Sequence, residues 1–181
     1  MLLNIILVLV LAICFITDLK EQKIYNKVIF PSLIVTMLLQ LFYFGFDGLK
    51  GSFIGLTVGF AILLVPYFLG GIGAGDVKLL ALIGAIKGGA FVLNTALYMA
   101  VIGGVIALFI IIFHKQTIKF FKELSLWIFY LVNGVKTKLE TPSAPLLKKY
   151  PYGVAIVGGA LISLVFKEAW LIWERKKGKQ F

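Results

Sequence analysis

Six apolar segments, separated by short stretches that carry glycine, proline or charge, constrain this chain more than any other feature. They cover residues 1–17, 28–46, 51–70, 77–86, 90–113 and 152–173. Several approach or exceed the roughly 17–20 residues that a helix needs to cross the hydrocarbon core of a bilayer. The chain is 61% hydrophobic, far above a soluble domain, and its mean hydropathy is +1.03. The sequence therefore predicts an all-α fold: one membrane-embedded domain, residues 1–181, with about six transmembrane helices.

The net charge of +10 has its simplest explanation in this membrane setting. Basic residues at the ends of membrane helices determine topology and contact anionic headgroups. We therefore expect a lipid bilayer as the main partner and no nucleic acid. Cys14 and His114 are the single cysteine and the single histidine of the chain, so neither a metal site nor a cofactor is expected.

The fourth segment, residues 77–86, is unusually short. It has about ten residues between Asp76 and Lys87, too few to span a membrane of normal thickness without help. Such a helix requires a thinned bilayer, a cavity, or neighbouring helices that shield its ends.

The distribution of lysines predicts which loops are cytoplasmic. Lys20, Lys23 and Lys27 follow the first segment, and seven lysines lie within residues 114–150, so both loops are assigned to the cytoplasm. The basic residues after residue 174 conflict with this assignment, because six spans place the carboxyl terminus outside. A seventh span at residues 124–135 would remove that conflict but would place four lysines outside. We therefore predict that the loop 114–150 contains an amphipathic helix on the cytoplasmic surface.

Two of the three aspartates of the chain, Asp18 and Asp76, lie where an apolar segment meets a cytoplasmic loop. With six spans, the first helix ends near Asp18 and the fourth begins at Asp76, so both carboxyls lie at a similar depth. Two close carboxyls can share one proton, so that one polarises a peptide carbonyl while the other activates water. Spacing alone favours a simpler interpretation, in which the two are unrelated boundary charges, solvated by headgroups or paired with Lys20 and Lys78.

Residues 70–78 read GGIGAGDVK, a glycine-rich stretch that ends at the start of an apolar segment. Glycine allows close approach of a substrate strand, and an aspartate at a helix start accepts backbone N–H bonds. A phosphate-binding loop is disfavoured, since no Lys-Ser or Lys-Thr follows and an acid stands where the anion would bind. A flexible hinge between helices remains an alternative.

Three segments in order resemble the type IV prepilin peptidases. Residues 73–80, GAGDVKLL, resemble the GxGD motif of that family, including its short forms associated with tight-adherence pili and the archaeal preflagellin peptidases. Residues 18–26, DLKEQKIYN, resemble the segment of the first catalytic aspartate, with Tyr25 where proline is usual. Residues 151–156, PYGVAI, resemble a late Pro-aromatic-Gly segment on the cytoplasmic side.

The resemblance implies a membrane aspartic endopeptidase whose catalytic pair is Asp18 and Asp76. Its substrates would be prepilin-like or pseudopilin-like proteins, which lose a short basic leader after a Gly near the cytoplasmic face of the plasma (inner) membrane. The residues that we expect to shape the site are Gly73, Gly75, Lys78, Asn26 and Pro151.

Two other functions remain open on sequence grounds. In a small transporter, Asp18 and Asp76 would couple to protons or cations, and the site would lie near the centre of the bilayer. A noncatalytic scaffold would tolerate the loss of either carboxyl.

Overall fold

The computed structural model describes residues 2–113 and 152–177, including the side chains of residues 2–109 and 152–166. Over these residues every secondary-structure element is an α-helix, which confirms the predicted all-α class. The helices are α1 (Leu2–Glu21), α2 (Asn26–Phe68), α3 (Ala74–Lys87), α4 (Gly89–Phe113) and α5 (Tyr152–Lys177). The predicted amphipathic helix within residues 114–150 and the predicted site residue Pro151 lie outside the described residues.

The chain divides into two compact units. One consists of Met1–Gly103 with Pro151–Phe181, and the other of Gly104–Tyr150. All the contacts below lie within the first unit. By length and composition, three helices of the described residues can cross a membrane, namely α1, α2 and Gly89–Phe109 of α4, and Tyr152–Phe166 of α5 is a shorter apolar helix. The protein is therefore a membrane protein.

The long helix α2 reverses direction at Gly45. This glycine has φ 63° and ψ −151°, a conformation that interrupts the helix and that residues with a side chain rarely adopt. A Cβ placed on Gly48 would lie 2.6 Å from the carbonyl oxygen of Gln40, whereas a straight helix separates residues eight apart by about 12 Å. Helix α2 is thus a hairpin with a first arm, residues 26–44, and a second arm, residues 46–68.

The first arm of α2 runs parallel to α3. Near the start of both, the Lys78 ammonium donates to Asn26 Oδ1 at 2.9 Å. Near the end of both, Gln40 Nε2 donates to the carbonyl oxygen of Ile86 at 3.2 Å. The two hydrogen bonds fix the register of this arm on α3.

The second arm of α2 runs antiparallel to α3 and touches its backbone. Ser52 Oγ donates to the carbonyl oxygen of Ala85 at 2.9 Å, and Gly59 lies against the carbonyl of Leu80. Between them, Gly55 and Gly84 are in direct backbone contact, leaving no room for a Cβ on either residue. Glycines four apart on one helix face allow such close packing in membrane proteins.

The remaining helices continue the alternation of direction. Lys87, at the end of α3, donates to Asn4 near the start of α1 at 2.5 Å, so α1 is antiparallel to α3. Helix α4 follows α3 after Gly88 and packs antiparallel to α5, with a buried hydrogen bond between Thr95 and Ser163 at 3.3 Å. Within residues 2–113 and 152–177, six helical segments, counting both arms of α2, therefore run alternately in opposite directions.

Helix α3 is the central element of this arrangement. It has 14 residues, about 21 Å, which is shorter than the hydrocarbon core of a bilayer. Asp76, Val77 and residues 79–86 are all buried. The neighbouring helices thus shield this short apolar segment, which is one of the arrangements expected for a helix too short to span the bilayer.

Candidate active site

Asp18 is buried near the end of α1, with only 4% of its surface exposed. Its Oδ2 atom accepts a hydrogen bond from the backbone N–H of Val154 at 3.2 Å. The backbone N–H of Gly153 donates to the same carboxyl group. Both donors belong to the first turn of α5, where backbone N–H groups have no partner within the helix. The start of α5 therefore holds the carboxyl of Asp18.

Gly153 makes this contact possible because it has no side chain. A Cβ at this position would lie 2.6 Å from Oδ2 and 2.7 Å from Cγ of Asp18. Any larger residue would displace either the carboxyl or the helix end. The Pro-Tyr-Gly segment of the sequence is thus connected to the first aspartate through its glycine.

Asp76 lies in the first turn of α3, and its side chain bonds back to the residue that precedes the helix. Its Oδ2 accepts a hydrogen bond at 3.3 Å from the N–H of Gly73, the residue that precedes the helix in an extended conformation. In return, the Asp76 N–H donates to the Gly73 carbonyl at 3.1 Å. The other oxygen, Oδ1, is buried and has no hydrogen-bond partner among the residues that the structure describes.

Asp18 and Asp76 lie at the same end of α3 and interact electrostatically. Cys14, one turn before Asp18 on α1, is buried and interacts with both charges. Two buried carboxyls in this relation can share a proton, which allows one to act as an acid and the other as a base. The catalytic role expected for these two residues stays a prediction.

Gly75, the second glycine of the GxGD motif, contacts the loop between α1 and α2. A Cβ at this position would lie 2.9 Å from Cβ of Ile24. The same loop is held by a short hydrogen bond from the Tyr25 hydroxyl to Glu21, which raises the pKa of Tyr25 above its ordinary value. Gly75 therefore lets the loop after Asp18 pack against the loop before Asp76.

Lys78 and Asn26, the other predicted site residues, form an exposed pair beside the aspartates. The ammonium of Lys78 donates to Asn26 and lies 5.5 Å from the centre of the Phe30 ring. The structure brings Lys78 of α3 together with Asn26 at the start of the first arm of α2. Their contacts link α2 to α3 rather than either residue to a carboxyl.

The sequence analysis did not single out Gly153 or the N–H groups of α5. The signal available was the position of Pro-Tyr-Gly immediately before an apolar segment, which is typical of a helix start. Within the described residues, no cluster of three or more His, Cys, Asp or Glu residues could hold a metal ion.

Comparison with known proteins gives one result. The type IV leader peptidase family matches the chain over residues 5–108, more than half its length, and this region contains both aspartates. No curated protein and no solved structure matches the chain.

Proposed function

Because the chain belongs to the type IV leader peptidase family, we propose that it is a membrane aspartic endopeptidase with Asp18 and Asp76 as its catalytic pair. It removes short basic leaders from prepilin-like proteins, cutting after a Gly near the cytoplasmic face of the plasma membrane. The whole chain forms one membrane-embedded peptidase domain.

The observation that carries this proposal is the buried aspartate pair at one end of α3. Burying a polar oxygen without a partner costs about 1–3 kcal/mol, and Oδ1 of Asp76 is such an atom within the described residues. Thr36 Oγ1 is a second such atom among the described residues, but the cost at Asp76 arises at a helix start next to another carboxyl. An oxygen that receives its hydrogen bond from water or substrate explains it.

The reaction needs one proton shared between the two carboxyls. The protonated carboxyl donates to the carbonyl oxygen of the scissile peptide, while the carboxylate takes a proton from the attacking water. The new C–O bond gives a tetrahedral intermediate. When the C–N bond breaks, a carboxyl returns a proton to the leaving amine, and the products are a free acid and a free amine.

The alternating directions of the helical segments support six membrane spans. Lys20 in the last turn of α1, Lys23 in the following loop and Lys27 in the first turn of α2 lie at the end of the bundle that holds the aspartates. Lysine-rich loops remain in the cytoplasm, so this end faces the cytoplasm. Prepilin-like substrates would present their basic leader on the same side.

The position of the aspartates favours hydrolysis over transport. A proton or cation carrier needs its acidic site near the centre of the bilayer, reachable from both sides in turn. Asp18 instead lies three residues before the end of α1, and Asp76 lies in the first turn of α3. Water can reach such a site from one side without a path across the membrane.

The proposal is tested with purified protein and two synthetic peptides. One has a basic segment, a Gly and an apolar stretch, and the matched control has Val in place of the Gly. Mass spectrometry should detect cleavage after Gly in the first peptide and little product from the control. Folded protein that cleaves neither peptide would count against the proposal, and carboxyl-dependent proton uptake in proteoliposomes would then support transport.

A further inference from the structure

Helix α5 contributes to the site although it lies outside the part of the chain that the family match covers, residues 5–108. Two backbone N–H groups at its start donate to Asp18, and the same carboxyl is buried. We infer that the start of α5, through Gly153 and its neighbour Val154, positions Asp18 for catalysis. This inference rests on the proposed function, and it makes Gly153 a positioning residue that acts through Asp18.

The donors restrict the carboxyl in a way that a single contact does not. Hydrogen bonds from backbone N–H groups to a carboxylate are about twice as strong as those between neutral groups. The positive end of the α5 dipole adds an attraction of the same sign. Two donors from one rigid helix turn fix the orientation of the Asp18 side chain, so its free electron pairs face a constant direction.

The position of Gly153 distinguishes this role from ordinary helix packing. Gly159, farther along α5, is a packing glycine, because a Cβ there would meet backbone atoms of Thr95 at 2.6 Å and Met99 at 2.8 Å. At Gly153 the three nearest atoms all belong to the side chain of Asp18. Gly153 therefore makes room for the side chain of Asp18 rather than for the close approach of another helix.

The consequence for catalysis is a defined loss in Gly153→Ala. The added Cβ must push the carboxyl of Asp18 from its donors, and a displacement of about 1 Å at a reacting group costs about 10²-fold in rate. We expect kcat to fall by about 10²-fold while KM changes little, since Gly153 acts through the carboxyl of Asp18. A purely structural glycine would instead lower the folded fraction and leave kcat per folded molecule unchanged.

Two matched controls lie on the same helix. In Gly158→Ala the new Cβ meets only the end of the flexible Ile102 side chain at 3.0 Å, so activity should be retained. In Gly159→Ala the new Cβ meets backbone, so the melting temperature should fall without a specific loss of kcat. Together they separate the effect of an added methyl group from the effect on Asp18.

A second measurement tests the contact without substrate. In full-length protein labelled with ¹⁵N-valine in detergent, the Val154 amide signal is assigned by its loss in Val154→Ala. A hydrogen bond to a carboxylate moves an amide proton downfield, so Asp18→Asn should move the Val154 proton upfield. The signals of valines remote from Asp18 should stay in place.

The two measurements have separate outcomes. An upfield shift in Asp18→Asn together with a kcat loss specific to Gly153→Ala supports the inference. A Val154 signal that does not respond to Asp18→Asn overturns it, and so does a Gly153→Ala enzyme as active as Gly158→Ala. Wild-type protein that cleaves no peptide overturns the proposed function instead, and the Val154 signal, which needs no substrate, distinguishes that failure from failure of the contact.

Discussion

At its carboxyl end, α3 is held by side chains from three helical segments, whereas at its amino end it carries a carboxyl oxygen that no described residue binds. Asn4, Gln40 and Ser52 meet the last residues of α3 through hydrogen bonds, one from each of α1 and the two arms of α2. The amino end has Asp76, which bonds only to its own turn in the described contacts. The carboxyl end of α3 is thus its completed end, where side chains of neighbouring helices satisfy the polar groups. The amino end is its incomplete end, where one buried carboxyl oxygen has no partner among the described residues.

This difference predicts that the carboxyl end of α3 contributes mainly to stability and the amino end mainly to function. Completed polar contacts contribute about 0.5–1.5 kcal/mol each, while a buried polar atom without a partner costs about 1–3 kcal/mol. The close backbone contact at Gly55 and Gly84 lies toward the completed end. Changes at that end should therefore affect unfolding, and changes at the aspartate end should affect turnover.

The largest effect is expected at the aspartates. Asp76→Asn and Asp18→Asn should each lower kcat by about 10³-fold or more, because an amide cannot share a catalytic proton. Both variants should keep the melting temperature of the wild type within a few degrees. Peptide cleavage followed by mass spectrometry, with thermal unfolding in detergent, measures the two quantities.

Asp47→Asn is the matched control for these variants. Asp47 is exposed just after the turn of the α2 hairpin and pairs with Lys50 at 3.7 Å on the protein surface, where such pairs contribute little. Its loss should leave turnover unchanged. Near-normal turnover in Asp18→Asn or Asp76→Asn would contradict the assignment of function to the amino end of α3.

The next largest effect is expected at the completed end. Gly55→Ala should destabilise the protein by about 3 kcal/mol, because the new Cβ would overlap the backbone of Gly84 and force the two helices apart. Gly51→Ala, one turn earlier on the same row of glycines, is the control, since a Cβ there meets nothing within 4 Å. Equal melting temperatures for the two variants would contradict the packing described here.

A smaller effect on turnover is expected for Gly75→Ala. The Cβ would lie 2.9 Å from Cβ of Ile24 and would shift the loop before Asp76, so kcat should fall about 10- to 100-fold. Adding Ile24→Gly should restore part of the activity, because it removes the Cβ that the new methyl group meets at 2.9 Å. If the double variant is no better than Gly75→Ala, the loss has another cause.

The smallest effect is expected for Ser52→Ala, which removes one hydrogen bond to the carboxyl end of α3. The free energy of unfolding should fall by about 1 kcal/mol and kcat should stay the same. Thr57→Ala is the control, since the exposed hydroxyl of Thr57 bonds only within its own helix, to Phe53. A loss of turnover in Ser52→Ala would show that the two ends are not independent.

The helical fold and the approximate ends of its segments were predictable because long apolar runs have few alternatives in a membrane. The break in α2 was expected between residues 46 and 51, and it occurs at Gly45. The alternating directions follow from short connections. The GxxxGxxxG row at residues 51–59 is visible in the sequence, but the close contact of its glycines with the backbone of α3 does not follow from the apolar pattern.

The candidate site was predictable only in part. Asp18 and Asp76 could be placed at one end because each lies at the end of an apolar segment. The contact of Asp18 with α5 could not be deduced, because its donors are backbone atoms that any residue except proline possesses. The pairing of Lys78 with Asn26 depends on the register of two helices, which spacing along the chain does not determine.

The hydrogen bond from Val154 to Asp18 joins residues 136 positions apart. A nascent chain that ends at residue 113 already contains both aspartates but lacks the helix that holds the first of them. At about 5–20 residues per second, the ribosome reaches Val154 about 4–16 s after Asp76. During that interval the carboxyl of Asp18 lacks its hydrogen bond from the N–H of Val154. The proposed positioning of Asp18 therefore becomes possible only once the chain has been extended through the start of α5.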